Sequence, residues 1–152
     1  MREIFTHMLI RFVLENIFSF GKRKEFSTIP NSRLKTLNTH IYNRDGFEVL
    51  KLSSIYGANG SGKSNLIKSL DYLKKLVTLE DMPFAYKNNR FKFTGDKKQI
   101  LVIEFIQNRS GFLYGLEIDD NKIVTEELYI SGLGKKEDLL LLSVKLRMRK
   151  LR

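Results

Sequence analysis

The chain has 152 residues, 27 basic and 17 acidic, for a formal charge of +10; 42% are apolar, which suits one folded domain with its own core. No cysteine is present, which excludes disulfides, thiolate metal sites and a cysteine nucleophile, and two histidines far apart in sequence do not suggest a metal cluster. No apolar run approaches the roughly 18 residues that span a bilayer, and no signal peptide is read, so a cytoplasmic chain without a membrane partner is the expectation.

The stretch from Met8 to Phe20 is rich in branched and aromatic residues and reads as a strand. Met1 to His7 precede that pattern and read as a non-native extension (1–7). Gly21 to Lys24 look like a turn, and Glu25 to Ile29 a short returning strand. Residues 30–47 carry Pro30, several Asn and Ser and Gly46, and read as a polar connection. Val49 to Tyr56 reads as a further strand, running into a glycine-rich loop.

A helix should follow that loop. Leu66, Ile67, Leu70, Leu73, Leu76 and Val77 recur at helical spacing as one apolar stripe, with Asp71 and Lys75 as an i,i+4 pair, and Pro83 beyond the end. Past Pro83 the pattern changes to three strand-like runs, Ile100 to Gln107, Phe112 to Ile118 and Ile123 to Ser131. Their joins, at 108–111 and at Asp119-Asp120-Asn121, are short, which requires antiparallel neighbours and a meander. Leu139 to Leu142 fits helix or strand. Lys145, Arg147, Arg149, Lys150 and Arg152 place half of the net charge in the last eight residues, an attraction for nucleic acid or simply a solvated end.

The segment Gly57-Ala58-Asn59-Gly60-Ser61-Gly62-Lys63-Ser64 fits G-x-x-x-x-G-K-[ST]. Glycines permit positive φ and bring the backbone close to a ligand. Successive N–H groups then form an anion-binding nest, reinforced by the positive end of the helix. In this pattern Lys63 reaches the outer phosphates and Ser64 binds Mg²⁺. The competing account is an ordinary flexible loop before a helix, but a strand before and an amphipathic helix after favour phosphate binding. The usual Mg²⁺ carboxylate ends an apolar strand. Glu104 follows Leu101-Val102-Ile103 and Asp119-Asp120 follow Leu116-Glu117-Ile118, but neither run has the right form, and Asp119 and Asp120 read better as turn residues. No catalytic residue is assigned.

Asn16-Ile17-Phe18-Ser19-Phe20, the segment from Ile55 through Ser64 to Asn65-Leu66, and Phe112 to Asp119 followed by Ile123 to Tyr129 together resemble the first lobe of ABC-type ATPases. The likeness is to the RecF/SMC-like and OLD-type branch, including bacterial AAA-type ATP-binding proteins near phage-defence genes. It covers about Met8 to Ser131 and implies an α/β P-loop NTPase lobe with an antiparallel β-meander, spanning 8–131, followed by a basic tail over 132–152. It implies ATP and Mg²⁺ as ligands, carried over onto Gly57, Asn59, Gly60, Ser61, Gly62, Lys63, Ser64 and Asn65, with Ala58 inside the same loop. It further implies a second head or partner lobe across the nucleotide, and DNA or RNA processing in many members. Such relatives often carry a basic residue where this chain has Ile17-Phe18, and Ile130-Ser131-Gly132-Leu133-Gly134 reads as a glycine turn rather than a signature motif. Relatives are several hundred residues long, so the resemblance implies an incomplete, truncation-derived lobe. A small basic nucleic-acid-binding protein, with Phe112 and Tyr114 as stacking residues, and a non-functional ATPase fragment stand as alternatives.

Overall fold

The computed structural model describes residues 7–31, 36, 38–78, 89–119 and 122–145. The expected extension at Met1 to Thr6, the helix-stopping Pro83, the Asp120-Asn121 turn and the basic residues from Arg147 onward lie outside them.

Six strands form one antiparallel sheet in the order β2-β1-β5-β6-β7-β8, made of β1 (His7–Glu15), β2 (Lys24–Ser27), β5 (Lys98–Gln107), β6 (Ser110–Asp119), β7 (Lys122–Ile130) and β8 (Leu139–Val144). Two short strands, β3 (Ile41–Arg44) and β4 (Phe47–Leu50), pair as a separate hairpin, and one helix, α1 (Lys63–Thr78), is assigned among the described residues. The described architecture is therefore mostly antiparallel sheet with one α-helix. Every described strand pair is antiparallel, as expected for the β5-β6-β7 meander, and the same pairing extends to β1, β2 and β8.

The meander β5-β6-β7 follows from its turns. Asn108 and Arg109 both take positive φ, 46° and 71°, the pair of conformations that closes a two-residue hairpin with the twist of the strands it joins. Period-two alternation then separates two faces. Phe12 and Leu14 of β1, Leu101 of β5, and Leu116 and Ile118 of β6 face α1, which buries Tyr72, Leu73 and Leu76 against them. Each fully buried leucine there contributes about 2 kcal/mol relative to an exposed one.

The helix turns slightly away from the stripe read from sequence. Ile67 and Val77 are 59% and 54% exposed, while Ser69 and Tyr72 occupy buried positions instead. Ser69 donates its hydroxyl to the Asn65 carbonyl at 2.7 Å, which satisfies a polar group on the packed side. Tyr72 adds an edge contact to the Phe18 ring, with centroids 6.4 Å apart.

The opposite face of the sheet carries Arg11 and Val13 of β1 and Val102, Glu104 and Ile106 of β5. A bulge between Leu9 and Arg11 turns Ile10 onto this side, where it meets Ile106 and Val49 of the β3–β4 hairpin. Residues 41–50, of which only 49–50 lay in a predicted strand, thus form a hairpin whose first strand and turn fall within the region read as a polar connection. Asp45-Gly46, with φ of 50° and 77°, was the legible signal for it.

The strand expected over Val49 to Tyr56 ends at Leu50. From Lys51 to Tyr56 the chain has no assigned strand and every residue is exposed. Leu52 and Tyr56 are 70% and 90% exposed, so these two apolar side chains stand mostly in water. Leu139–Val144, ambiguous in sequence, resolves as strand β8 because β7 offers it a ladder.

Candidate functional site

The glycine-rich loop connects this exposed segment to α1. Its first helical residue is Lys63, and the Leu66 N–H donates to the Gly62 carbonyl at 3.0 Å, the first bond of the helix. The N–H groups that precede that bond have no partner inside the helix, and the first turn carries no acidic residue that would compete for them. The end of α1 therefore offers donors and a positive dipole with no built-in counter-anion.

The loop closes on itself. The Ser61 N–H donates to the Ala58 carbonyl at 3.2 Å, forming a tight turn over Asn59 and Gly60. Lys63 folds back across that turn, and its ammonium donates to the carbonyls of Gly57 at 2.6 Å and Ala58 at 2.7 Å. The Ser61 hydroxyl lies 3.5 Å from the same nitrogen. A long, flexible cation is thereby held over the mouth of the loop by neutral acceptors alone. Carbonyl bonds of this kind are exchanged cheaply for a bond to phosphate, which carries full negative charge.

Two glycines sit close to their neighbours in this geometry. A Cβ on Gly57 would sit 2.7 Å from the Ser61 hydroxyl oxygen, so a larger residue there would turn that hydroxyl away. Gly62 has φ of 96°, and a Cβ on it would press on the Ser19 hydroxyl and the Phe20 ring at 3.2 and 3.3 Å. Gly62 is thus the point where the loop rests on the end of β1.

That end is a built turn. Asn16 adopts φ of 56°, a left-handed conformation that Asn tolerates, and it is buried. Its side-chain amide donates to the carbonyls of Asp96 and Lys98, both at 2.8 Å, while the Gln99 amide donates to the Asn16 carbonyl at 3.0 Å. Ile17 and Phe20 then exchange backbone hydrogen bonds at 3.0 and 2.8 Å, and the Phe18 N–H donates to the Asn89 carbonyl at 2.6 Å. The segment Asn16 to Phe20, read from sequence as the tail of a strand, is a clamped turn that presents Ser19 and Phe20 to the loop. Lys22 and Arg23, which follow this turn, are both exposed.

The two carboxylate candidates are engaged elsewhere. Glu104 lies on the face of the sheet away from α1, where it pairs with Arg11 and accepts the Ser131 hydroxyl. Its burial is explained by those two partners, which satisfy the charge. Asp119 ends β6, in register with Lys122 across the β6–β7 turn. Among the described residues no group of three or more His, Cys, Asp or Glu is placed to hold a metal ion. Gly132 and Leu133-Gly134 form a turn, with φ of 53° and 69° at the latter two, and Ser131 beside them is buried on Glu104.

Phe112 and Tyr114 are also placed. Phe112 stacks on Phe105 with centroids 5.6 Å apart, and Tyr114 packs against the helix-side core while donating to Glu126 at 2.6 Å. Burial, reinforced by the Glu126 carboxylate, raises the Tyr114 phenol well above its ordinary range. Neither ring is presented as an open stacking platform.

A loop of this form at the start of a helix is what a nucleotide-binding AAA domain requires. Residues 52–147 match a family model described as "AAA domain, putative AbiEii toxin, Type IV TA system". The chain belongs to this AAA family. The matched span is about two-thirds of the chain and contains the entire loop, α1 and the meander. No curated protein and no solved structure matches the chain. Membership supports nucleotide as the ligand class, as expected of an AAA domain. No helix among the described residues is long and apolar enough to cross a membrane.

Proposed function

We propose that the loop binds the phosphates of ATP with Mg²⁺, as the nucleotide site of an ATPase head. Gly57, Ala58, Asn59, Gly60, Ser61 and Gly62 supply the backbone cradle, Lys63 the cation, Ser64 the hydroxyl for the metal, and Asn65 the helix residue that follows. The observation that carries this reading is the Lys63 ammonium, held across the loop by the carbonyls of Gly57 and Ala58 at the start of α1, whose first turn carries no acid. Mg²⁺, when bound, would neutralise charge on the outer phosphates. The chain's own part is to bind and orient: backbone amides and Lys63 fix the phosphates, and α1 adds its dipole.

Hydrolysis needs a carboxylate and a group that orients water. Glu104 is held by Arg11 and Ser131 on the far face of the sheet, so we assign this chain nucleotide binding and leave turnover to a complete site. The likeness to RecF/SMC-like and OLD-type heads belongs to the same proposal, with a second head or partner lobe across the nucleotide and a role in nucleic-acid processing or phage defence. The exposed apolar approach to the loop, Leu52 and Tyr56 above all, supports an additional lobe packing there.

The nucleic-acid-binding alternative draws less support. The groove on the far face contains Arg11, Arg23 and Lys136 but also four carboxylates, Glu25, Glu104, Glu137 and Asp138, which is not a cationic footprint. Titration of a fluorescent ATP analogue with Mg²⁺ tests the main reading. Lys63→Ala is expected to weaken binding at least about tenfold, the loss of roughly one charge-assisted phosphate contact. Equal binding by both proteins, or none by either, would overturn it.

A further inference from the structure

The six-stranded sheet has two edges, and they are built differently. β2 forms one of them with four residues, Lys24 to Ser27, and Lys24 and Glu25 are charged. A short, charged edge resists pairing with a further strand. β8 forms the other edge with six residues, Leu-Leu-Leu-Leu-Ser-Val, and none of them is charged. Its four leucines are between 48% and 62% exposed. An outer edge leaves backbone N–H and C=O groups without a ladder partner, and neither charge nor proline on β8 discourages one.

The leucines of β8 lie on both faces of the sheet. Leu142 stands opposite Leu128, in the same row as Tyr114, which packs against the helix-side core. Leu140 stands opposite Tyr129, on the other face. Leu141 lies between them with no partner on β7, in a bulge that bends the strand and puts no charge on it. The apolar surface therefore wraps around the edge. That shape suits a strand laid alongside β8 better than a lobe packed on one face.

The charges at the ends of β8 indicate which strand. Glu137 and Asp138 directly precede it and Lys145 directly follows it, and all three are exposed. A second β8 laid antiparallel, with Leu141 of each copy opposite Leu142 of the other, sets Asp138 opposite Lys145 at both ends. A parallel copy would set acid on acid and base on base. Asp138 accepts the Gly132 N–H at 2.8 Å through Oδ1, which leaves its second oxygen for an ammonium. The other nearby charges have neutral partners: Glu126 and Glu127 accept the hydroxyls of Tyr114 and Tyr129, and Lys135 donates to the Asp45 carbonyl. We propose that two copies of this chain pair through β8 about a two-fold axis, joining their sheets into one. Such a contact is self-complementary and closes at two copies. β5, β6 and β7 separate it from β1, on whose end the phosphate loop rests, so it does not depend on the nucleotide reading.

Sedimentation velocity of the full chain without nucleotide, across micromolar concentrations, tests the pairing. The mass is expected to rise toward twice 17.8 kDa and to stop there. The contact is one strand wide, smaller than a standard interface, so dissociation in the micromolar range is expected. Leu141→Lys puts an ammonium at the centre of the edge, twice per dimer, and should weaken pairing at least about a hundredfold. Its urea midpoint reports whether the variant still folds. Lys145→Glu and Asp138→Lys each set like charges opposite one another and should each weaken pairing about tenfold. An equimolar mixture of these two variants should restore it, because opposite charges then meet at both ends. The loss of the Gly132 bond in Asp138→Lys could not produce that recovery. A single chain at every concentration would overturn the proposal and leave the edge to a strand of another protein. So would a dimer that Leu141→Lys leaves unchanged, a dimer that forms only with Mg-ATP, a mixture that shows no recovery, or growth beyond two copies.

Discussion

The body of the sheet and the loop that leads into α1 are held in different ways. In the body, Leu101 pairs across the ladder with Leu14 on one side and Leu116 on the other, and α1 covers all three. Each side chain there depends on residues distant in sequence. The loop depends on its neighbours: Ser61 bonds Ala58, Lys63 bonds Gly57 and Ala58, and the segment before it, from Lys51 to Tyr56, is exposed throughout. Among the described residues it meets a distant segment where Gly62 approaches Ser19 and Phe20. A site that must reshape around a ligand draws on the weakly packed part of a molecule, while the packed part sets where that site stands.

Substitutions along this divide should separate by size. Leu101→Ala, at a position with no exposed surface, should destabilise the chain by about 2–5 kcal/mol, measured as a drop in the urea midpoint with little change in slope. Asn16→Ala comes next, at about 2 kcal/mol. It removes two buried hydrogen bonds and puts alanine at positive φ. Because Asn16 also sets the turn that carries Ser19, this variant should weaken phosphate binding as well; a variant that loses stability but retains full affinity would show that the turn does not position the loop.

Tyr114→Phe is expected to cost about 1 kcal/mol at neutral pH through the lost bond to Glu126. Its pH dependence has a definite sign. Folding raises the phenol above its ordinary value near 10, so the folded state holds the proton longer than the unfolded chain does. The stabilisation is fully present below about pH 10 and is lost as pH climbs past it toward the folded value. Stability of the wild-type chain should therefore fall above pH 10, and Tyr114→Phe should fall less steeply. Lys98, raised by its bond to Glu117, moves stability in the same direction and leaves a residual slope. The smallest effect belongs to Leu52→Ala, within about 0.5 kcal/mol, since that side chain is mostly in water. A loss above 1 kcal/mol there, in chemical denaturation, would mean the approach to the loop is packed in solution and would erase the contrast between the two regions.

Much of the candidate site was legible because its parts are local. Glycines at fixed offsets, a lysine and a serine at the start of an amphipathic helix, and the absence of acid in the first turn are all consecutive residues whose conformations constrain one another. The meander was legible for the same reason, since short joins leave adjacent strands no alternative to antiparallel pairing. The β3–β4 hairpin was hidden by its length: two strands of four residues each carry too little alternation, and only Asp45-Gly46 marks it. The strand over residues 51–56 was read from composition alone. Apolar, branched residues favour a ladder only where another strand supplies one, and among the described residues none does.

The sequence by itself determined the loop, the start of α1 and the tight turns, because short-range sterics and hydrogen bonding decide those. Only the tertiary structure decided that Glu104 serves Arg11 and Ser131, that Asn16 to Phe20 form a clamped turn under Gly62, and that Phe91 lies over Gly21. Those pairings join residues 27 to 93 positions apart, and no local pattern encodes them. They arise when the sheet closes and buries its two faces, which brings distant side chains within reach of one another.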